Sequence, residues 1–240
     1  MEDLGIQGAV LTSTSGDAYT AALKRNSDLS QLPAQYIVQP TVFEDIPLAL
    51  AYAAAQTPPL EVAVKCGGIH ASTWASSDGG VVIDLSKLNK VTLAEDKKSV
   101  TVQGGAVWGD VYEVTAPAGV DVVGSPLWFV GVGGFTTGGG YGPLSGEYGL
   151  AVDNMLGATV VLADGRIVKT SDEEEPDLFW AIRGACYSYP STTRIDILPS
   201  TFLKVEGASL VSSSSLSSRC IRMRVRLLPA LWRSPAPKPT

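Results

Sequence analysis

The sequence predicts an α+β fold, and three observations predict it. Short runs rich in Val, Ile and Tyr recur between turn residues, YIVQ at 36–39, EVAVK at 61–65, VVIDL at 81–85 and VTLAEDKKSVTVQ at 91–103; this is the composition and length of strands. Segments with apolar residues at helical spacing interleave with them. Two of the strand pairs are joined by direct turns, at Asp96-Lys97 and at Asp164-Gly165, so the chain makes hairpins that a doubly wound α/β sheet would replace with crossovers.

Taken in order, SGDAYTAALKR at 15–25 reads as the first helix, with Ser15 or Asp17 as its cap, and YIVQ follows as a strand. Thr41-x-x-Glu44 has the form of a capping box ahead of the apolar run Ile46, Leu48, Ala49, Leu50, Ala53, Ala54. Pro47 lacks an N–H, so this helix is expected to begin near Asp45, with the proline in its first turn, and to end before Pro58 and Pro59. EVAVK and VVIDL are strands separated by the glycine-containing loop 66–80. VTLAEDKKSVTVQ alternates and turns back on itself, after which Gly104 and Gly105 lead into a helix through Trp108, Val111, Tyr112 and Val114. GATVVLA and RIVK flank Asp164-Gly165 as a second hairpin. Pro176 then opens the helix DLFWAIRG, which Gly184 ends.

Composition excludes several function classes. With 240 residues, 45% of them hydrophobic, the chain can bury one full core with room for a second small one. A formal net charge of -6 argues against a nucleic-acid surface, which needs clustered Lys and Arg. That charge is divided unevenly: residues 186–240 hold 8 Lys+Arg and 2 Asp+Glu, leaving 18 - 8 = 10 bases and 24 - 2 = 22 acids in residues 1–185. Three cysteines, Cys66, Cys186 and Cys220, and a single histidine give neither a disulfide framework nor a metal-ligand set. No run of apolar residues is long enough for a membrane span or a signal-peptide core, so the chain reads as soluble and unexported. With no G-x-S-x-G elbow and its one histidine in a glycine loop, serine hydrolase chemistry is set aside as well.

The stretch GVGGFTTGGGYGPLSGEYGLAVDN at 131–154 organises the rest. Glycine at every second or third place lets a backbone turn tightly and lets another group come close. Val132, Phe135, Tyr141, Leu144, Tyr148, Leu150 and Val152 lie among the glycines, which distinguishes a packed segment from a Gly/Ser linker. Thr136 stands where a G-x-G-x-x-G fingerprint starting at Gly131 needs glycine, and no G-x-x-x-x-G-K-[ST] occurs. A phosphate held here would be held by backbone N–H groups of a loop. The run KCGGIHAS at 65–72 is a second such loop, with Gly67 and Gly68 able to aim N–H groups at a pyrophosphate; a tight turn between strands is the other reading.

These residues carry a resemblance. GVGGxxxGGGYG followed by YGLxVDN is similar to the second flavin-binding segment of the berberine bridge enzyme-like FAD-linked oxidases, which have the PCMH-type FAD-binding domain of the vanillyl-alcohol oxidase superfamily. KCGG at 65–68, DGGVVIDLSKLNKV at 78–91, VTVQGGAVWGDV at 100–111, LADGRIV at 162–168 and DLFWAIRGA at 177–185 resemble the family in order and spacing. The likeness runs from about residue 8 to 185.

The resemblance implies FAD as cofactor, two subdomains at 33–90 and 91–185 behind an N-terminal helix and loop at 1–32, and an oxidase that passes hydride from a small-molecule substrate of unknown identity to the flavin and on to molecular oxygen. It implies cofactor contacts at Lys65, Cys66, Gly67, Gly68, Ile69 and His70, at Gly131, Gly133, Gly134, Gly138, Gly139 and Gly140, at Tyr148, Gly149 and Val152, and at Ile167 and Val168 on the adenine side. The family's loop reads R/K-x-G-G-H, and its histidine is bonded to the flavin. In this chain Ile69 stands in that place and His70 follows, so His70 is either the flavin-linked residue or a loop histidine with no special role. The cysteine of doubly linked relatives has no counterpart near Leu127. Trp128 and Phe129 are read as cover for the isoalloxazine or as core. Asp153 is read as a turn residue capping its own backbone. Relatives are often secreted, which leaves localisation open.

After Ala185 the resemblance stops. Family members continue GGNFGVVT, whereas this chain continues CYSYPSTTRIDILPS and runs through a serine tract into arginines and prolines. Residues 186–240 are therefore expected to be a disordered or aberrant tail, the substrate domain is expected to be missing, and no catalytic residue can be named. The chain as written is expected to bind FAD without turning over a substrate; the alternative to an oxidase domain is an inactive flavin-binding remnant from a truncated gene model.

Overall fold

The computed structural model describes residues 1 and 4–184 together with the strands 203–206 and 211–212. The expected tail, 186–240, lies outside the described residues apart from those two strands. Among the described residues no helix is long and apolar enough to cross a membrane.

A four-stranded sheet forms the first half. Its strands are β1 (Ala9–Leu11), β2 (Tyr36–Gln39), β3 (Val62–Lys65) and β4 (Val81–Asp84), in the order β1-β2-β4-β3. β1 runs antiparallel to β2, while β2 and β3 both run parallel to β4, with Tyr36 and Val62 each opposite Val81. The parallel pairing explains why all four residues of β4 are buried: both faces of the sheet are covered. On one face, Ile37, Ala63 and Val82 meet Tyr19 and Ala22 of helix α1 (Asp17–Leu23). On the other, Val38, Val62, Val81 and Ile83 meet helix α2 (Asp45–Ala54), the crossover from β2 to β3.

Both N-terminal caps differ from the sequence expectation. Helix α1 is preceded by Gly16, with no side-chain cap, because Thr12 and Ser15 are engaged with each other in the 3-10 turn before it. Helix α2 starts at Asp45 with Pro47 in its first turn, as expected, but Thr41 and Glu44 form no capping box. The buried Asp45 carboxylate instead accepts the N–H groups of Gln7, Gly8, Thr41 and Val42 at 2.7–3.5 Å. One side chain thereby fixes the helix start and the N-terminal strand together.

The second half has two hairpins, β5 (Val91–Leu93) with β6 (Ser99–Val102), and β8 (Gly157–Val161) with β9 (Ile167–Ser171). Between them lie helix α3 (Trp108–Thr115), the short strand β7 (Val120–Asp121), and helices α4 (Val132–Thr137) and α5 (Ser145–Tyr148); helix α6 (Pro176–Ile182) follows, with Pro176 in its first turn. β10 (Leu203–Glu206) pairs with β6 and β11 (Val211–Ser212) with β7, both antiparallel. The core of this half gathers Val102, Trp108, Val132, Met155, Val160 and Phe179. Adjacent residues of a strand point to opposite sides, and β8 uses this: Val160 enters this core while Val161 enters the α2 face of the first sheet, both fully buried. The strand joins the two halves.

Candidate functional site

The two glycine segments meet, backbone to backbone. A Cβ placed on Gly67 would lie 2.5 Å from the nitrogen and 2.7 Å from the Cα of Gly131. Only hydrogen at both positions permits this approach. Gly131 is held from its other side by a bridge to Val107 and by the hydrogen bond from Val132 N to the Ala106 carbonyl at 2.9 Å. The loop after β3 is thus seated on the start of helix α4.

Beneath the loop, two cations flank Gly68. The Lys65 ammonium donates to the Asp84 carboxylate at 3.1 Å and to the Ala22 carbonyl at 3.3 Å. The Asp84 side chain is buried and also accepts from Gln39 at 3.0 Å and from the Ser86 N–H at 3.2 Å. Arg25 reaches under the loop to the Ala75 carbonyl at 2.5 and 3.0 Å, and Asn26 N donates to the Gly68 carbonyl at 3.1 Å. Burial lowers the pKa of Arg25 from its ordinary value, and the Asp84 carboxylate acts to raise it. Lys65 is therefore committed to the sheet below the loop.

Within the loop, Cys66 is half-buried against the first sheet's core, Gly68 is buried, Ile69 is half-buried and His70 is exposed. His70 Nδ1 accepts the Ser72 N–H at 3.0 Å and lies 2.6 Å from the Ser72 hydroxyl; its ring stacks on Trp74 at 4.9 Å and 17°.

The central segment is partly helical. Helix α4 forms although two of its six residues are glycine, a poor helix former, because Val132 and Phe135 anchor it in the second core. Gly133 is buried in that helix, Gly134 faces open space, and Gly138 ends it. Gly139 and Gly140 both have positive φ, +107° and +74°, and their carbonyls accept Val152 N and Ala151 N at 3.0 and 2.9 Å. That brings Val152 onto the segment. Tyr148 and Gly149 are half-buried at the end of α5, where Asn154 donates to the Tyr148 carbonyl at 2.9 Å and Asp153 accepts Leu150 N at 2.7 Å, the backbone-capping part expected of it. Ile167, exposed, and Val168, half-buried, pair with Val161 and Val160 and so reach the segment through β8. Leu127, Trp128 and Phe129 are surface residues, at 50, 68 and 36% exposure, which removes core packing as their explanation.

Sequence reasoning missed Asp84 and Arg25. A signal for Asp84 was present: a lone carboxylate in the apolar run VVIDL has to be paired, and Lys65 lies opposite it in the parallel register. Among the described residues no group of three or more His, Cys, Asp or Glu side chains could hold a metal ion.

Residues 34–171 match the family described as FAD binding domain. An FAD-linked oxidoreductase of Aspergillus terreus is 38% identical over 182 residues, covering 75% of this chain and 37% of that protein. The (R)-6-hydroxynicotine oxidase of Paenarthrobacter nicotinovorans is 38% identical over 138 residues, 58% of this chain and 30% of that one. Among solved structures, 6-hydroxy-D-nicotine oxidase from Arthrobacter nicotinovorans superposes with a TM-score of 0.76 at 31% identity, covering 87% of this chain and 43% of that one. The glucooligosaccharide oxidase of Acremonium strictum, described with a 6-S-cysteinyl, 8α-N1-histidyl FAD, gives 0.69 at 27% identity, 83% and 41%. The chain spans less than half the length of each of these relatives. With more than half of its residues matched to one family, the chain belongs to it: this is an FAD-binding domain of the PCMH type found in the berberine bridge enzyme-like FAD-linked oxidases.

Proposed function

We propose that the FAD of this domain is held across the junction of the two glycine segments, and that the domain serves an oxidase acting on a small organic molecule with oxygen as acceptor. The observation that carries the reading is the backbone contact between Gly67 and Gly131, which draws the N–H groups of both segments to one place. The residues present fit the cofactor: the open side of Gly134 leaves room for a ligand against helix α4, and the exposed Leu127, Trp128 and Phe129 offer an apolar surface for a ring system. Gly67 and Gly68 would hold the pyrophosphate, Gly131 to Gly140 the ribityl chain, and Ile167 and Val168 the adenine half. When bound, the flavin accepts a hydride equivalent from a substrate carbon and passes the electrons to oxygen. The protein's part is to position it. Arg25 and Lys65 lie under the loop against one buried carboxylate, Asp84, so the loop stands over a net positive charge that favours phosphate.

Relatives act on a nicotine derivative and on a glucooligosaccharide, so alcohols, oligosaccharides and cyclic amines are the substrate classes to try. Titrating the purified chain with FAD tests the cofactor site. Flavin fluorescence should be quenched, and FAD at a hundred times its Kd should stabilise the fold by about 2.7 kcal/mol. Folded protein that shows neither change in excess FAD would overturn the reading. Peroxide release over the panel, from this chain and from a form extended to the relatives' length, tests the oxidase part; none from either form with any class would refute it.

A further inference from the structure

We infer that this protein holds its flavin without a covalent bond, because its one loop histidine is committed to the turn it belongs to. The inference rests on the FAD-binding reading above and concerns how the cofactor is retained.

A histidyl tether is built from a ring nitrogen with a lone pair in the ring plane, and a neutral imidazole has one such nitrogen at a time. In His70 its identity is settled by the partner. The Ser72 backbone N–H can only donate, so Nδ1 is the acceptor at 3.0 Å, the Ser72 hydroxyl at 2.6 Å donates to the same atom, and the proton of the neutral ring is on Nε2. The nitrogen with the lone pair is engaged by Ser72, so a tether could form there only after both of these hydrogen bonds are broken.

The ring is also fixed in direction. It stacks on Trp74, and Ser72 caps the 3-10 turn Thr73–Ala75 that carries this indole. That turn is itself anchored by the two hydrogen bonds from Arg25 to the Ala75 carbonyl. His70, Ser72, Trp74 and Ala75 thus make one unit tied to the helix α1 side of the sheet. Upstream, the diglycine is clamped by Gly131 on one side and by Asn26 on the other. The first side chain beyond the clamp is Ile69, half-buried and aliphatic, and the imidazole comes one residue later at an exposed position. A one-residue displacement in extended chain turns a side chain to the opposite side.

The test uses the full 240-residue chain, incubated in air with excess FAD for a day and then precipitated with acid. All of the flavin should appear in the supernatant, the intact mass should equal that of the apoprotein, and a denaturing gel should show no flavin fluorescence. Flavin retained in the parent's pellet with the matching mass increase would overturn the inference, and loss of both in His70→Ala would place the bond at His70. A folded parent that binds no FAD before precipitation is a separate result, since it removes the FAD-binding reading rather than this one.

Discussion

The first sheet and the glycine-rich layer beside it treat buried polar atoms differently. In the sheet, Asp45 and Asp84 are buried and fully engaged, Asp45 by four backbone N–H groups and Asp84 by Lys65, Gln39 and the Ser86 N–H. In the second core, Trp108 Nε1, Thr115 Oγ1 and Thr136 Oγ1 are buried with no partner among the described residues. Thr136 belongs to helix α4, and the Trp108 ring meets Phe135 of that helix edge-on at 5.4 Å. The sheet is thus complete in itself, and burying a charge there is affordable because every acceptor is filled. The layer on which the glycine segment lies is where folding and ligand binding should be coupled. Substitutions in the sheet should therefore act on stability first, and those at the junction on FAD binding first.

The largest expected effect is at Asp84. Asp84→Asn leaves the Lys65 ammonium, 13% exposed, beside a neutral group, and breaking a buried pair by removing one partner costs about 3–5 kcal/mol. Urea unfolding should show the loss with no FAD present. A variant as stable as the parent would mean that Lys65 finds its stability elsewhere. Next comes Gly67→Ala, whose methyl group would meet the Gly131 backbone. Backbone displacement of this kind costs about 1–3 kcal/mol, and because it opens the junction, FAD affinity should fall at least tenfold by fluorescence titration. Unchanged affinity would show that the two segments need not touch to bind.

Much of the scaffold was legible beforehand. β2, β3 and β4 announce themselves as Val-, Ile- and Tyr-rich runs between turn residues, the hairpins by alternation or by Asp-Gly, and α2, α3 and α6 by proline placement and spacing. What was not legible depends on distant partners. β1 is one exposed and two half-buried residues that become a strand by pairing with β2, and α4 is a helix inside a glycine run because Val132 and Phe135 have a core to enter. The parallel order β2-β4-β3 is invisible locally for the same reason. At the site, the glycines stood out, but the contact of Gly67 with Gly131 lies far off in sequence, and Arg25 belongs to a segment with no motif.

Tyr112 gives a smaller effect with a pH signature. Its hydroxyl donates to the Ser125 carbonyl at 2.5 Å, and burial first, then the Asp121 carboxylate, raises its pKa well above the ordinary tyrosine value. An unfolded tyrosine ionises near pH 10, at about its reference value. Its contribution is therefore fully present below that pH and is lost as pH rises toward the folded value, because the unfolded chain releases a proton that the folded one keeps. Tyr112→Phe should cost about 1 kcal/mol at neutral pH and should soften the decline of stability above pH 10. Tyr19, also raised by burial, keeps the decline from vanishing. An unaltered alkaline limb in thermal melts would assign it to other groups.

The smallest effect repeats the Asp84 substitution on the surface. Asp164 and Arg166 form an ion pair at 2.7 Å, shorter than that of Lys65 and Asp84, yet their side chains are 53 and 69% exposed. The side-chain hydrogen bond from Arg166, then its backbone N–H, lowers the Asp164 pKa, so the pair's contribution would be present at neutral pH and lost on acidification. Water solvates both groups whether or not they touch, and salt screens what attraction is left. Asn in place of Asp164 can still accept the Arg166 N–H that shapes the turn. Asp164→Asn should therefore leave the thermal midpoint within error of the parent at neutral pH and at any salt concentration, although it removes the same charge as Asp84→Asn. A loss comparable to that at Asp84 would mean that pair geometry, and not burial, sets the strength of these interactions here, and the contrast between the paired sheet and its surface would fail.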